Sequence, residues 1–148
     1  MEREQGMDRQ DKEYKEIFND SYRRLLESGA YSHVFLDDFY RRFMASSPEV
    51  AGKFKNTNMD NQKQMLKASL YQMLMFLSEM RSNEYMENIA AKHNRRGLDI
   101  RPGLYDLWLE CLISSVREHD PRFTPDVELA WRLTMAPGIT YMKFCYEN

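Results

Sequence analysis

Apolar residues recur every three or four positions along almost the whole chain, and no segment alternates apolar with polar residues as a half-buried strand does. This spacing is that of a helix with one buried face. Such stripes cover residues 14–26, 35–44, 65–77, 85–93, 105–116 and 131–142. With a further short helix after residue 47, the pattern predicts an all-α protein of about seven helices.

Residues that favour helix ends mark the expected boundaries. Ser47-Pro48-Glu49 combines an N-cap, a proline in the first turn and an acid at the positive helix end, and predicts a short helix ending at about residues 52–54. Further starts are expected at Ser82 or Asn83, at Pro102, and at Thr124-Pro125-Asp126. Gly29 and Gly97 are expected to end helices. Pro137 lies inside the last stripe and should kink that helix or cost it a hydrogen bond.

Length and charge limit the class of protein. The 148 residues fit one domain with a substantial core. A net charge of −2 argues against general nucleic-acid binding. No apolar run reaches the roughly 18 residues of a membrane span, and the N-terminus lacks the apolar core of a secretory signal, so a cytoplasmic protein is expected. Residues 1–12 are predicted to form a flexible polar extension before a single domain of residues 13–148.

Neither the cysteines nor the histidines have the spacing of a zinc site. Cys111 and Cys145 lie inside apolar helical patterns and are interpreted as buried free thiols. His33 and His119 are expected on the surface. Eleven methionines, nine tyrosines, eight phenylalanines and two tryptophans would supply a deformable apolar interior, which suits a flat ligand but is also typical of an ordinary core.

The remaining histidine, His93, lies in the segment "IAAKHNRRGL". On a helix it shares a face with the apolar residues Met86, Ile89 and Ala90, so it should point inward. The basic neighbours, expected nearer the rim, are Lys92, Arg95 and Arg96. A core-edge histidine bonded to a backbone carbonyl fits this pattern. A haem ligand fits it too, because a porphyrin supplies four nitrogens and needs only one imidazole. The basic residues are then either a solvated cluster or partners of the haem propionates.

Four segments together resemble a known family: "FYRRFMASSPEVAGKF", "QKQML", "IAAKH" and the last helix with Trp131. They are similar to the bacterial globins, in particular single-domain haemoglobins and the globin domain of flavohaemoglobins. The similarity extends from about residue 14 to the C-terminus. It implies a globin fold in a three-over-three arrangement around a haem pocket, with haem b (iron protoporphyrin IX) as the cofactor.

The resemblance also implies roles for individual residues. His93 matches the proximal haem ligand, and Phe54 matches the phenylalanine that packs on the haem after the third helix. Tyr40 matches the distal tyrosine that donates to a bound diatomic gas. From the apolar pattern alone, Phe54 would be a loop residue folded onto the core, and Tyr40 a core tyrosine bonded to backbone.

On the fourth helix, Gln62 matches the distal glutamine and Leu66 lies one turn further over the haem. Lys63 takes the place of Gln62 if the register slips by one, whereas the pattern alone makes both residues solvent-facing. Residues at family positions that line the pocket are Ile89, Leu98, Ile100, Tyr105 and Trp108, and all five fit an ordinary core equally well.

Tyr105 also matches a tyrosine that, in flavohaemoglobins, polarises the ligand histidine together with a glutamate of the last helix. Alignment from Trp131 places Asn148, and not Glu147, opposite that glutamate. The sequence therefore does not predict this relay.

The implied function is reversible binding of O2, and also of NO or CO, at a histidine-ligated iron. Two alternatives are an enzyme, either an NO dioxygenase or peroxidase-like, and a gas sensor. The binding protein is favoured because the chain has no flavin or nicotinamide domain and would depend on a separate reductase to keep the iron ferrous. A monomer or a homodimer is expected.

Overall fold

A computed structural model describes residues 13–29, 32–79 and 83–148, which form seven helices and no strand. The helices are α1 (13–22, continuing into a π-helical turn at Arg23–Glu27), α2 (Ser32–Ser46), α3 (Pro48–Lys53), α4 (Met59–Glu79), α5 (Glu84–His93), α6 (Pro102–His119) and α7 (Pro125–Phe144). The all-α prediction is confirmed. The expected extension at residues 1–12 and the possible cap Ser82 lie outside the described residues.

The capping residues act as the sequence predicts. The side-chain oxygen of Ser47 accepts from the Glu49 N–H at 3.1 Å, that of Asn83 from the Met86 N–H at 2.9 Å, and that of Thr124 from the Val127 N–H at 3.2 Å. Each of these bonds satisfies one of the free N–H groups of a first helical turn.

The helix ends follow the sequence less closely. Gly29 has a left-handed φ of 68°, as expected of a glycine beyond a helix C-terminus. Gly97, however, does not end α5, which stops four residues earlier at His93. Gly97 is needed for space instead, since a Cβ there would lie 2.4 Å from the Lys92 carbonyl oxygen. The helix α7 continues through Pro137, whose nitrogen has no N–H to donate within the helix.

Four helices make the main packing contacts of the core. α6 packs against both α2 and α7, and α7 also packs against α4. The short helix α3 lies on α2, and α5 contacts α4 and α7. Trp131 on α7 is fully buried, with the ring of Phe18 edge-on at 4.7 Å. No helix among the described residues is long and apolar enough to cross a membrane.

A buried polar network ties α1 to the far end of α6. The Trp131 indole N–H donates to Ser21 Oγ at 2.9 Å, and the Ser21 hydroxyl donates to Asp120 Oδ2 at 2.6 Å. The Arg24 guanidinium donates to both oxygens of Asp120, each at 2.8 Å. The hydrophobic pattern of the sequence gives no sign of this network, because its members come from three separate segments.

His119 is not the surface residue that the sequence predicts, whereas His33 is exposed as expected. The His119 side chain is only 15% exposed, and its Nε2 lies 3.1 Å from Oδ2 of the buried Asp38, in a contact without hydrogen-bond geometry. Asp38 also accepts hydrogen bonds from Ser115 at 3.1 Å and from Arg42 at 2.8 Å. His119 of α6 thus lies against the buried Asp38 of α2, although the sequence around His119 is polar.

Asp38 should make the protein sensitive to acid. Burial raises the pKa of Asp38, but hydrogen bonds from Arg42, Arg41 and Ser115 outweigh burial and lower it from 3.8 to about 2. Since the folded value lies below the unfolded one, the stabilisation is complete above about pH 4 and is lost as the pH falls towards 2. We expect Asp38→Asn to reduce the free energy of unfolding at pH 7 by about 2 kcal/mol, measured by urea denaturation.

The matched control for this prediction is Asp37→Asn, at the neighbouring exposed carboxylate. It should change stability by less than about 1 kcal/mol. Urea denaturation repeated towards about pH 3 should show a smaller difference in the free energy of unfolding between Asp38→Asn and the unsubstituted protein. A loss that stays constant with pH would show that the carboxylate charge of Asp38 does not stabilise the fold.

Candidate functional site

A cavity opens between α2, α3, α4, α5 and the first turns of α6, with α7 at its back. Aliphatic, methionine and aromatic side chains form most of its wall. The polar groups that reach it are few, namely Lys53, Gln62, Ser69, His93 and the hydroxyl-bearing Tyr40, Tyr85 and Tyr105. An apolar cavity with a few convergent polar groups is the usual form of a cofactor site.

His93 reaches the cavity from the last turn of α5. Its Nδ1 lies 2.8 Å from the Ile89 carbonyl oxygen, one turn earlier. Burial lowers the pKa of His93, the bond to Ile89 opposes this, and the charge of Lys92 lowers the pKa further. The imidazole is therefore neutral at pH 7, with the proton on Nδ1 and the lone pair on Nε2. No described residue hydrogen-bonds Nε2, so that nitrogen is free to bind a ligand from the cavity.

The loop after α5 holds His93 in place. The His93 carbonyl accepts from the Ile100 N–H at 3.0 Å, and the Lys92 carbonyl accepts from the Leu98 N–H at 2.8 Å. These bonds satisfy the last two carbonyls of the helix, and the close turn is possible because Gly97 has no side chain. The position of the imidazole is thus fixed by backbone bonds on both sides.

Tyr40 lies on α2 and is almost fully buried where it lines the cavity. Its hydroxyl donates to the main-chain carbonyl of Gln62 at 3.4 Å, which is a long and weak bond. Burial raises the pKa of Tyr40 to about 12, against a smaller lowering by Gln62. The hydroxyl therefore keeps its proton at physiological pH. The Phe54 ring stands edge-on to Tyr40 at 5.6 Å and also lines the cavity.

The register of α4 decides between Gln62 and Lys63. Gln62 lines the cavity, while the Lys63 ammonium pairs with Asp37 at 2.6 Å outside it. Neighbouring residues of a helix point about 100° apart, and here the side chain of Gln62 is the one turned towards the cavity. Leu66, one turn after Gln62, lines the cavity as well.

The sequence profile of the globin family matches residues 37–140, which is most of the chain. The chain belongs to the globin family. A crystal structure of protein PA3967 from Pseudomonas aeruginosa PAO1, described as structurally highly homologous to a human haemoglobin, is 38% identical and superposes with a TM-score of 0.83. That match covers 91% of this chain and 99% of the Pseudomonas chain. A search of curated proteins finds no match.

Membership of the globin family implies a haem cofactor, and the residues of the cavity fit one. One wall presents the neutral imidazole of His93, the rest is largely apolar, and the Tyr40 hydroxyl supplies a donor. Ile89, Ile100 and Trp108 line the cavity, as the resemblance implies. A single imidazole among apolar walls suits an iron whose other in-plane ligands come from a porphyrin.

Four residues that the sequence assigns to the haem site lie outside the cavity of this globin. Besides Lys63, they are Lys92, which is exposed, Arg95, which pairs with Glu147 at 3.1 Å, and Leu98, which is 55% exposed. The early end of α5 explains the last two, because residues 94–99 turn away over the surface rather than continuing the helix.

The sequence reasoning misses other cavity residues, among them Lys53, Ser69 and Met73. A signal for Ser69 and Met73 was available, because they continue the three- and four-residue spacing that begins at Gln62 and Leu66 on α4. Nothing in the local sequence distinguishes Lys53 from other surface lysines.

Tyr105 lines the cavity, but no described carboxylate bonds its hydroxyl. Burial raises the pKa of Tyr105 well above its usual value, with a smaller contribution from Cys145. Glu147 is exposed and bound to Arg95, and the Asn148 side chain donates to the Phe144 carbonyl at 2.9 Å. Among the described residues of this globin, therefore, no carboxylate links Tyr105 to His93 as in the flavohaemoglobin-type relay.

Proposed function

We propose that this globin holds haem b through Nε2 of His93 and binds O2 reversibly, with CO and NO as further ligands. The observation that carries the proposal is the buried, neutral imidazole of His93, whose Nδ1 is bonded to Ile89 and whose Nε2 is left free at an otherwise apolar cavity. A haem held there would supply an iron atom that can bind a diatomic gas. Phe54, Leu66, Ile89 and Ile100 exclude water and pack on the ring.

Tyr40 is the proposed hydrogen-bond donor to the gas. Its hydroxyl is protonated over the whole physiological pH range, and the cavity shields it from solvent. The 3.4 Å bond to the Gln62 carbonyl costs little to give up, so the hydroxyl can turn to a better acceptor. Gln62 lines the same region of the wall and is proposed to donate through its side-chain amide.

Reversible binding is favoured over oxygen activation by the surroundings of Tyr105. A carboxylate behind the ligand histidine would make the imidazole a stronger electron donor. Here the Tyr105 hydroxyl has no such partner among the described residues, and His93 donates to a neutral backbone carbonyl instead. A separate reductase is the implied partner, because the iron must be kept ferrous.

The first test is spectroscopic. Purified protein supplied with haemin should show a Soret band, and its ferric, ferrous and CO-bound forms should have the spectra of a histidine-ligated haem. The oxygenated form should oxidise slowly and release O2 reversibly. A protein that stays colourless with haemin would contradict the proposal. Rapid oxidation of NO with a supplied reductase would show that the protein is an NO-oxidising enzyme rather than a reversible O2 binder.

Tyr40→Phe should speed the release of O2. It removes one donor to an acceptor that carries partial negative charge, which is worth on the order of 1–3 kcal/mol, and so the dissociation rate should rise by roughly tenfold or more. Stopped-flow displacement of O2 by CO measures this rate. The release of CO, a weaker acceptor, should change much less.

Tyr85→Phe is the matched control, since Tyr85 also lines the cavity but its hydroxyl is bonded to Ser69 Oγ at 2.8 Å. It should leave O2 release within about twofold of the unsubstituted protein. Equal effects of the two substitutions would show that Tyr40 is not the donor to the ligand.

A further inference from the structure

Lys53, the last residue of α3, is a basic side chain that lines a largely apolar cavity. Of the residues in the described part of the chain that line the cavity, it is the only lysine or arginine, and no aspartate or glutamate lines the cavity. No described carboxylate lies within ion-pair distance of its ammonium group. The ammonium lies at the solvent-open edge of an otherwise apolar wall, where an anionic group of a ligand can reach it.

The ammonium of Lys53 has one protein partner, the Leu98 carbonyl oxygen at 2.8 Å. This bond joins α3 to the loop after His93, at the open edge of the cavity. A lysine ammonium has three N–H donors, so two remain for another acceptor. A second link joins the same two elements, since the Arg101 guanidinium donates to both carboxylate oxygens of Glu49, at 2.7 and 2.5 Å.

The two links differ in whether they leave a charged group available to a ligand in the cavity. Arg101 and Glu49 satisfy each other as a bidentate pair on the surface, and neither lines the cavity. Lys53 has no such partner, because the Leu98 carbonyl that accepts its hydrogen bond carries no opposite charge. The basic residues that the sequence offers as partners of the propionates do not line the cavity. Lys92 is exposed, and Arg95 is paired with Glu147.

We propose that Lys53 binds a carboxylate of the haem at the open edge of the cavity, and so decides that this cavity accepts a planar apolar ligand with an acidic edge. The inference rests on the proposed function, because it concerns the same cofactor. It assigns to α3 the charge recognition for which the sequence offered basic residues at and after the end of α5 as candidates. The bond to Leu98 fixes the position of the ammonium, and its other two donors face the carboxylate.

The test compares haem with haem dimethyl ester, in which both carboxylates are esterified. Each is loaded into the full-length protein, and its loss to excess apomyoglobin is followed by absorbance. Lys53→Met keeps the length and apolar stem of the side chain but removes the charge. We expect haem to leave the variant about tenfold faster, while the loss of the ester stays unchanged.

Two control variants make the result specific. Lys55→Met removes an exposed charge two residues further on, outside the cavity, and should leave both rates unchanged. Lys53→Arg keeps the charge and should restore most of the haem retention. High salt should narrow the difference between haem and its ester in the unsubstituted protein.

An equal acceleration of haem and ester loss in Lys53→Met would overturn the inference, since it would show that Lys53 acts only through packing or through the Leu98 bond. No acceleration of either would overturn it as well. Protoporphyrin IX and its dimethyl ester, followed by fluorescence, give the same comparison without iron. A wrong assignment of His93 therefore leaves this result interpretable.

Discussion

His93→Gly should abolish stable haem binding. The substitution removes the imidazole, whose Nε2 is proposed to bind the iron, and leaves a gap at the end of α5. Changing only the hydrogen-bond partner of a ligating histidine typically costs 10–100-fold in affinity, so losing the ligand itself should speed haem loss by more than about a hundredfold. Haem transfer to apomyoglobin and the Soret spectrum measure the effect.

Imidazole added to the solution should restore the spectrum of His93→Gly, because it can occupy the gap and supply the nitrogen. The matched control is His33→Gly, at an exposed histidine of α2, which should keep its haem. If His93→Gly kept an unchanged spectrum without imidazole, another residue would have to be the iron ligand.

Asp120→Ala should cause the largest loss of stability. The Asp120 side chain is fully buried and accepts from Arg24, from Ser21 and from the Arg122 main-chain N–H at 2.9 Å. Burial raises the pKa of Asp120, but these bonds outweigh it and lower the pKa below its usual value, so the carboxylate is charged at neutral pH. Removing one partner of a buried ion pair costs roughly 3–5 kcal/mol, and since the Arg24 side chain is 24% exposed we expect the lower end of that range.

Urea denaturation at fixed haem content should show this loss as a lower midpoint with an unchanged slope. Asp106→Ala is the control, since Asp106 forms an exposed pair with Lys143 at 2.7 Å and should cost less than about 1 kcal/mol. If both substitutions had the same small effect, the network around Trp131 would contribute little to the stability of the fold.

Most of the fold follows from short-range information in the sequence. A helix buries one face, so its apolar residues repeat every three or four positions, and each stripe predicts one element. The caps at Ser47, Asn83 and Thr124 bond within three residues, and a local pattern is enough to find them. The sequence predicts that α5 ends at Gly97, but the helix ends at His93. Gly97 allows a close contact with the Lys92 carbonyl and does not form a left-handed turn.

The inward direction of His93 also follows from helical spacing, as does the possibility of a haem, since one imidazole suffices for that cofactor. The sequence could not choose between Gln62 and Lys63. That choice depends on how α4 is rotated against α2, and the pairing of Lys63 with Asp37 shows the result.

The sequence by itself determined the helices, their caps, the family resemblance and the histidine that faces inward, because each depends on residues close together in the chain. Only the tertiary structure decided which side chains surround the cavity and which charges are buried. Lys53 meets Leu98 across 45 positions of sequence, and Asp120 meets Ser21 across 99. Contacts at such separations arise from the packing of whole helices, which leaves no periodic pattern in the sequence to reveal them.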